Sequence, residues 1–360
     1  MTKKKMDTEK EQKLIKLLKI LIYVLGAFII LILLVFIGAQ MYFMVPVIDY
    51  YKDSERAFTI PGLSNDMVPQ GLDYIEEDGI FLIGGYQKDG SPSRVYRAKK
   101  DNGKSDGYVV LGDEDGTPIA PHAGGLAAHG DYLFVAGDED PFVYVFDLPE
   151  VLSSAEGTVV KSLGKFETTF RGDSIRADFM CFTEDRFIVG EFYRDPNYLT
   201  PDSHNVETPS GEVNRALALC YPFSDEKGAA FGISRRPAEA YSLPDLVQGI
   251  AVHDGKVWIS QSYGTAKSTI SCYDVSDSEP AAIFLLHIYS GVDLPDEYMP
   301  VYALDSSTRV ASFEAPPMAE EIIFVDGRLL IMCESASNKY YFGKLTGGKW
   351  CYSTDVSELF

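Results

Sequence analysis

One hairpin is written five times along this chain, and a repeated unit that cannot bury both of its own faces has to stack on its copies. The clearest copy is Val247-Gln-Gly-Ile-Ala-Val-His-Asp-Gly-Lys-Val-Trp-Ile-Ser-Gln-Ser262. A short apolar run meets the turn pair Asp254-Gly255 and returns as a second run, Val257 to Ser260; an Asp-Gly pair between such runs is a strong hairpin signal. The other copies pair Gly71-Leu-Asp-Tyr with Ile80-Phe-Leu-Ile83, Gly125-Leu-Ala-Ala with Tyr132-Leu-Phe-Val135, Phe179-Met-Cys-Phe with Arg186-Phe-Ile-Val189, and Glu321-Ile-Ile-Phe with Arg328-Leu-Leu-Ile331. A third strand candidate follows each hairpin: 94–97, 143–146, 216–220, 269–273 and 340–343. A more polar fourth follows most of them, at 107–111, 158–162 and 350–352.

Four antiparallel strands per unit, with no helical stretch between them, predict an all-β chain. The fold expected is a β-propeller of five four-stranded blades, with six as the alternative. Repeat starts lie roughly 54 to 72 residues apart, longer than compact propeller repeats, so the loops are long. Insertions at 194–214 and 286–309 fill the two widest gaps, and either has room for a degenerate blade. The leading stretch Phe58–Pro61 is expected to supply the outer strand of the last blade and close the ring, which leaves no free edge. A β-sandwich is the competing fold; its strands need not share a phase as these repeats do.

The N-terminus is a separate matter. Ile20 to Ala39 is uncharged and nearly all apolar, and about twenty residues at ~1.5 Å each span one hydrocarbon thickness of ~30 Å. Seven lysines precede it, from Lys3 to Lys19, against Asp7, Glu9 and Glu11. That bias places the tail in the cytoplasm and the remainder outside. The apolar run exceeds a signal-peptide core, so an uncleaved anchor is expected. The domain reading is a basic cytoplasmic tail at 1–19, a transmembrane signal anchor at 20–44, a polar stem at 45–57 and one extracytoplasmic domain at 58–360. Tyr42, Phe43, Tyr50 and Tyr51 suit the outer aromatic belt.

The net charge is −21, and it is more negative still once the lysine-rich tail is set apart. Such a surface repels phosphate backbones, so nucleic acid is not an expected partner. The five cysteines, Cys181, Cys220, Cys272, Cys333 and Cys351, have no C-x-x-C spacing and no adjacent histidine, which argues against zinc. Cys333 and Cys351 fall in one repeat and are the one pair placed to bond. The acidic loops 112–116 and 137–140 lack the spacing of a calcium loop and read as solvated turns. No G-x-S-x-G, phosphate loop or H-E-x-x-H occurs.

The repeated x-Gly-Leu/Ile-Ala … Asp-Gly hairpin, seen at Gln70-Gly71-Leu72 and Gln248-Gly249-Ile250-Ala251, resembles extracytoplasmic bacterial β-propellers. These include the lactonase-type (gluconolactonase, SMP-30-like) and YncE-like classes. Resemblance to the lactonase type implies a divalent metal held by a Glu of the first repeat and Asn or Asp of others. Here that first position is Gln70, and no matching Asn set is found.

The residue before the first strand of a hairpin and the residue after the second share one end. Overlaying the repeats sends Gln70, His122, Arg176, Asp178, Gln248, Glu320 and Glu321 to that end from the first strands. Tyr86, Asp138, Glu191, Gln261, Tyr263 and Glu334 come from the second. Polar side chains gathered at the mouth of an apolar ring make a ligand site the expectation; each taken singly has the plainer role of bonding backbone. His122 is the candidate general base. Asp178, Glu191 and Glu320 are the candidate ligands for Ca2+ or another divalent cation. His204 sits in the 198–210 insertion, rich in Pro, Ser and Asn, which reads as an idle surface loop, with a lid over the site as the alternative. The reading is a membrane-anchored propeller that binds a small molecule or protein at its rim without catalysis. The alternatives are a metal-dependent lactonase-type hydrolase, and a scaffold of cell-envelope assembly.

Overall fold

The computed structural model describes residues 2–137, 140–170, 172–286, 297–346 and 348–359. They form two units, residues 1–46 and residues 47–360. The first is a single helix, α1 (Thr2–Met44), long and apolar enough to cross a membrane.

The second unit begins with α2 (Ile48–Lys52) and β1 (Ser54–Thr59). Then come β2 (Met67–Ile75), β3 (Ile80–Gln87), β4 (Arg94–Lys99) and β5 (Ser105–Gly112), an up-and-down meander. A second meander holds β6 (Leu126–His129), β7 (Tyr132–Ala136), β8 (Phe142–Asp147) and, after the one-turn helix α3 (Leu148–Ser153), β9 (Val159–Glu167). After the short pair β10 (Thr169–Phe170) and β11 (Asp173–Ser174) come β12 (Phe179–Phe182) and β13 (Arg186–Gly190). The small hairpin β14 (Val206–Glu207) and β15 (Val213–Asn214) intervenes before β16 (Ala216–Pro222) and β17 (Glu239–Leu243) complete that sheet. The fourth set starts with β18 (Val247–His253), β19 (Lys256–Gln261) and β20 (Ser268–Tyr273); a side hairpin, β21 (Ala282–Leu286) and β22 (Glu297–Ala303), precedes its last strand β23 (Arg309–Ala315). The last sheet is β24 (Ala319–Val325), β25 (Arg328–Cys333) and β26 (Trp350–Thr354), with β1 as its fourth strand, Ser54 opposite Thr354.

The first strands of these sheets touch in a closed cycle, β2 to β6 to β12 to β18 to β24 and back to β2. The unit is thus mostly β and propeller-like. Each sheet is covered on both faces, which explains why its strands read as unbroken apolar runs. In β7, Phe134 and Ala136 point into one core, shared with Met180 and Phe187 of the next sheet. Leu133 and Val135 point into the opposite one, shared with Leu82 and Val95 of the sheet before. Ile331 and Leu330 divide β25 in the same way. A sandwich sheet would bury one face only, so this packing excludes that competing fold.

The repeat's glycine has a steric cause. A Cβ on Gly71 would lie 2.6 Å from Leu126, one on Gly125 2.7 Å from Phe179, and one on Gly249 2.6 Å from the Glu320 carbonyl. Neighbouring first strands approach too closely there for any side chain. Phe179 occupies the equivalent position of its repeat, and its ring fills the space above Gly190. Glu321 occupies it in the last repeat and accepts from Ile250 N at 3.3 Å.

Several expectations need correction. The stretch 45–57 is no loose stem: Val47 and Tyr50 are 2 % and 4 % exposed and pack with Trp258, Ile322 and Ile331. Tyr50 therefore belongs to the core and Tyr51, half-buried, packs against it; Tyr50 stacks on Phe313, and the Tyr51 hydroxyl donates to the Thr346 carbonyl. The segment 340–343, read as a strand, is part of a 3-10 helix, Tyr341–Leu345, and Trp350–Thr354 takes the third place in its sheet. One short helix, α3, does interrupt the strands; Asp147 caps it through Glu150 N and Pro149 stands in its first turn. The 194–214 insertion holds a 3-10 turn, Asp202–His204, and the β14–β15 hairpin, while β22 adds in parallel to β17, Ala240 opposite Val301. The part of the second insertion at 287–296 lies outside the described residues. All five cysteines are free thiols, Cys333 and Cys351 included.

Candidate functional site

A break in ladder register occurs in three of the first strands. Pairing is lost between Pro69 and Leu72, between Val247 and Gly249, and between Ala319 and Ile322. A bulge leaves its extra residue out of the ladder and re-aims it. The residues set free include Gln70, Gln248 and Glu320, each directly before the close-contact position of its repeat, and Gly71 and Glu321 at that position itself. Left-handed backbone at Ala123, Leu246 and Met318 turns the chain just ahead of β6, β18 and β24.

The position before the close contact, repeat by repeat, is Gln70, Gly124, Asp178, Gln248 and Glu320. All five line one cavity of about 320 Å³. His122, Tyr263 and Glu334 line it as well, together with Tyr86, Phe192, Tyr198, Lys339 and Tyr340. Glu334 is the hub of one wall: its Oε1 accepts from Tyr86 at 3.0 Å and from Tyr340 at 2.8 Å. Lys339 lies over both rings, 4.8 and 5.2 Å from their centres, and donates to the Tyr86 hydroxyl. His122 stacks on Tyr86 at 4.6 Å with its Nε2 3.1 Å from Gln70 Oε1.

The electrostatics are those of carboxyls in a dry wall. Burial raises Glu320 well above the ordinary carboxyl range, and the charges of Glu334 and Glu321 add to it. Burial also raises Glu334, against the pull of Tyr340, Lys339, Tyr86 and Gln70. Asp178 is raised by burial too, with Arg176 opposing and Phe192 N donating to it at 2.7 Å.

The 194–214 insertion forms part of the cavity wall. Tyr198 packs edge-on to Phe192 at 5.3 Å, and the Arg194 guanidinium lies 3.7 Å from the centre of the Tyr263 ring. The segment is pinned from below by His204, which is fully buried: Nδ1 is 2.6 Å from Glu191 Oε1, and Nε2 is 3.4 Å from Asp173 Oδ2.

Four of the sequence candidates lie elsewhere. Glu191 faces inward, held by His204 and by Leu217 N at 3.0 Å. Glu321 is buried among the first strands, where it bonds Ile250 N and Met180 N. Gln261 spends its amide on the Asp245 carbonyl at 2.9 Å. Arg176 donates to the Phe192 carbonyl at 3.0 Å and lines an adjoining hollow with Asp140 and Asp178. Among the described residues no three His, Cys, Asp or Glu side chains form a metal-holding group, so Asp178, Glu191 and Glu320 do not combine as proposed ligands. Asp138 lies outside the described residues. The loop 112–116 is a turn in which Asp113 Oδ1 accepts from Asp115 N and Thr117 N. Lys339, Tyr340, Phe192 and Tyr198 escaped the sequence reading. Lys339 and Tyr340 stand just ahead of the 3-10 helix Tyr341–Leu345, in a stretch read as strand from Tyr340 on, and the others follow β13 by an irregular path.

No family model matches the chain, and no curated protein resembles it in sequence. It is similar in structure to the β-propeller domain of Cps50 (Swd1) from Myceliophteria thermophila, with 8 % identity, a TM-score of 0.35, and coverage of 81 % of this chain and 97 % of that one. It is also similar to the PQQ-bound aldose sugar dehydrogenase of Streptomyces coelicolor, with 13 % identity, a TM-score of 0.39, and coverage of 83 % and 95 %. A putative 6-phosphogluconolactonase from Bacteroides fragilis gives 11 % identity, a TM-score of 0.36, and coverage of 74 % and 77 %.

Proposed function

We propose that the chain is a membrane-anchored, extracytoplasmic propeller of five blades. It binds a small molecule or a segment of a protein partner in the cavity at one mouth of the ring, and it performs no catalysis of its own. The observation that carries this reading is the cavity's lining: one residue from the same position of each repeat, Gln70, Gly124, Asp178, Gln248 and Glu320. A ring of convergent polar groups over apolar cores is where a ligand gains both orientation and burial. Supporting the blade count, the five first strands make a closed cycle. Lysines in the first part of α1, ahead of its apolar stretch, support a cytoplasmic N-terminus.

The test uses the full chain in detergent, screened by thermal shift against a small-molecule panel. A true ligand raises the melting point of the wild type, and the Gln70→Ala/Gln248→Ala double variant loses that shift while its unliganded melting point holds. A shift that survives in the variant moves the site off the rim. Melting with Ca2+ and with EDTA separates the hydrolase alternative, which requires a metal-dependent change. Protease added to intact cells should remove the C-terminal unit and spare the tail.

A further inference from the structure

Glu320 is the cavity's unsatisfied group. Its residue is 2 % exposed, and it lines the cavity. Among the described residues neither a hydrogen-bond donor nor a cation reaches its carboxyl; the groups that act on it are two more carboxyls, Glu334 and Glu321. Of those neighbours, Glu334 accepts from two tyrosine hydroxyls, and Glu321 accepts from Ile250 N at one of its oxygens. A buried carboxylate left without a partner costs several kcal/mol, and such groups are normally paired. Tyr86, Tyr340, Phe192, Tyr198 and Gln248 line the same cavity and give it an aromatic wall with a side-chain amide.

Resting on the ligand-binding reading above, we infer that the cavity takes a ligand bearing a primary ammonium group, with its N–H donors on Glu320 and its carbon chain among the aromatic side chains of the lining. A neutral polyol leaves the Glu320 charge uncompensated. A bare divalent cation lacks the ligand set, since no described group of three supplies one.

The chemistry adds a proton linkage. The groups facing Glu320 and Glu334 are Glu321 on β24, Cys333 on β25, Tyr86 on β3, and Lys339 and Tyr340 after β25. Burial and mutual repulsion keep a proton on the Glu320–Glu334 pair in the empty cavity, and an arriving ammonium favours the ionised form. Binding therefore releases a proton. Affinity rises with pH and levels off once the empty site is already ionised.

The experiment is calorimetric titration of the full chain in detergent with benzylamine hydrochloride and, as its neutral counterpart, benzyl alcohol, in two buffers of different ionisation enthalpy. Benzylamine should bind at least about ten-fold more tightly than benzyl alcohol, with proton release at neutral pH. Glu320→Gln should erase that preference without lowering the melting point, since it removes a buried charge. Glu334→Gln should weaken the preference too, which keeps the test decisive if the first variant folds poorly. Tyr298→Ser, on the exposed side hairpin, is the control expected to bind as wild type. Equal binding of both probes, unaltered by Glu320→Gln, overturns the ammonium inference and leaves the cavity reading standing. Absence of binding by either probe also overturns it, and the rim-variant screen then judges the cavity separately.

Discussion

Gly249 shows how a single missing side chain organises this protein. A methyl group there would sit 2.6 Å from the Glu320 carbonyl oxygen and 2.9 Å from Glu321 Cα, both backbone atoms that cannot swing aside. Gly249→Ala should therefore cost about 1–3 kcal/mol, the usual range for overpacking, read from chemical denaturation of the full chain. Substitution at Gly79, in a turn with open space around it, carries only the penalty of its φ of 62°. Glu321 is the complementary case, a carboxyl that satisfies N–H groups along the first strands. Glu321→Gln keeps a carbonyl acceptor for Ile250 N and should be close to neutral. Glu321→Ala strands that donor and should cost about 1–3 kcal/mol. The glycine was visible in the sequence as a recurring letter. Its cause was not, because the clash is with a strand some fifty to seventy residues away, a distance roughly one repeat long.

At the scale of elements, the hairpins were legible because their turn pairs and apolar runs are local signals, and both faces of each strand carry the pattern. The segments between them were not. Glu191 was placed at the rim by its position after the second strand, yet the chain turns and commits it to His204. No nearest-neighbour signal in the sequence announces a partner on an excursion of thirteen residues. That pair anchors the segment from which Tyr198 lines the cavity. His204→Ala should free this segment locally. Limited trypsin digestion at Arg194 and Arg215 is expected to speed up several-fold, and unchanged digestion would mean that Phe192 and Tyr263 suffice to hold it. Tyr340–Phe342 misled in the opposite way: an aromatic run with strand propensity, bent into a 3-10 turn because Tyr340 reaches Glu334.

At the scale of the whole molecule, the ring is closed by its own beginning. Phe58 on β1 is 1 % exposed and stacks on Phe81 of β3 at 4.6 Å, so the last sheet, which β1 completes, shares a core with the first meander. Phe58→Ala should cost about 3–5 kcal/mol and lower the melting transition as one cooperative step; an early separate transition would show that closure is local. Buried carboxyls set the pH response. Burial pushes Asp73 from 3.8 to about 6 despite its bond from Ala128 N at 2.6 Å. The folded chain thus binds a proton that the unfolded chain has lost, and stability falls as pH rises through that window. Asp185, held down to about 2 by Arg186, works in reverse and loses its contribution as pH falls from 3.8 toward 2. The melting point of the full chain should peak in mild acid rather than at neutrality, and Asp73→Asn should flatten the decline above the peak. By itself the sequence determined what short-range chemistry can encode: an apolar N-terminal helix, hairpins in a common phase, and sheets with two buried faces. The tertiary structure alone decided which polar groups meet. A bulge re-aims a side chain, a distant strand removes room for a Cβ, and Val47 and Tyr50 of the expected stem become core because a later sheet offers them an apolar face. Those outcomes depend on contacts between repeats, where the free energy belongs to the pair of surfaces and is written in neither one alone.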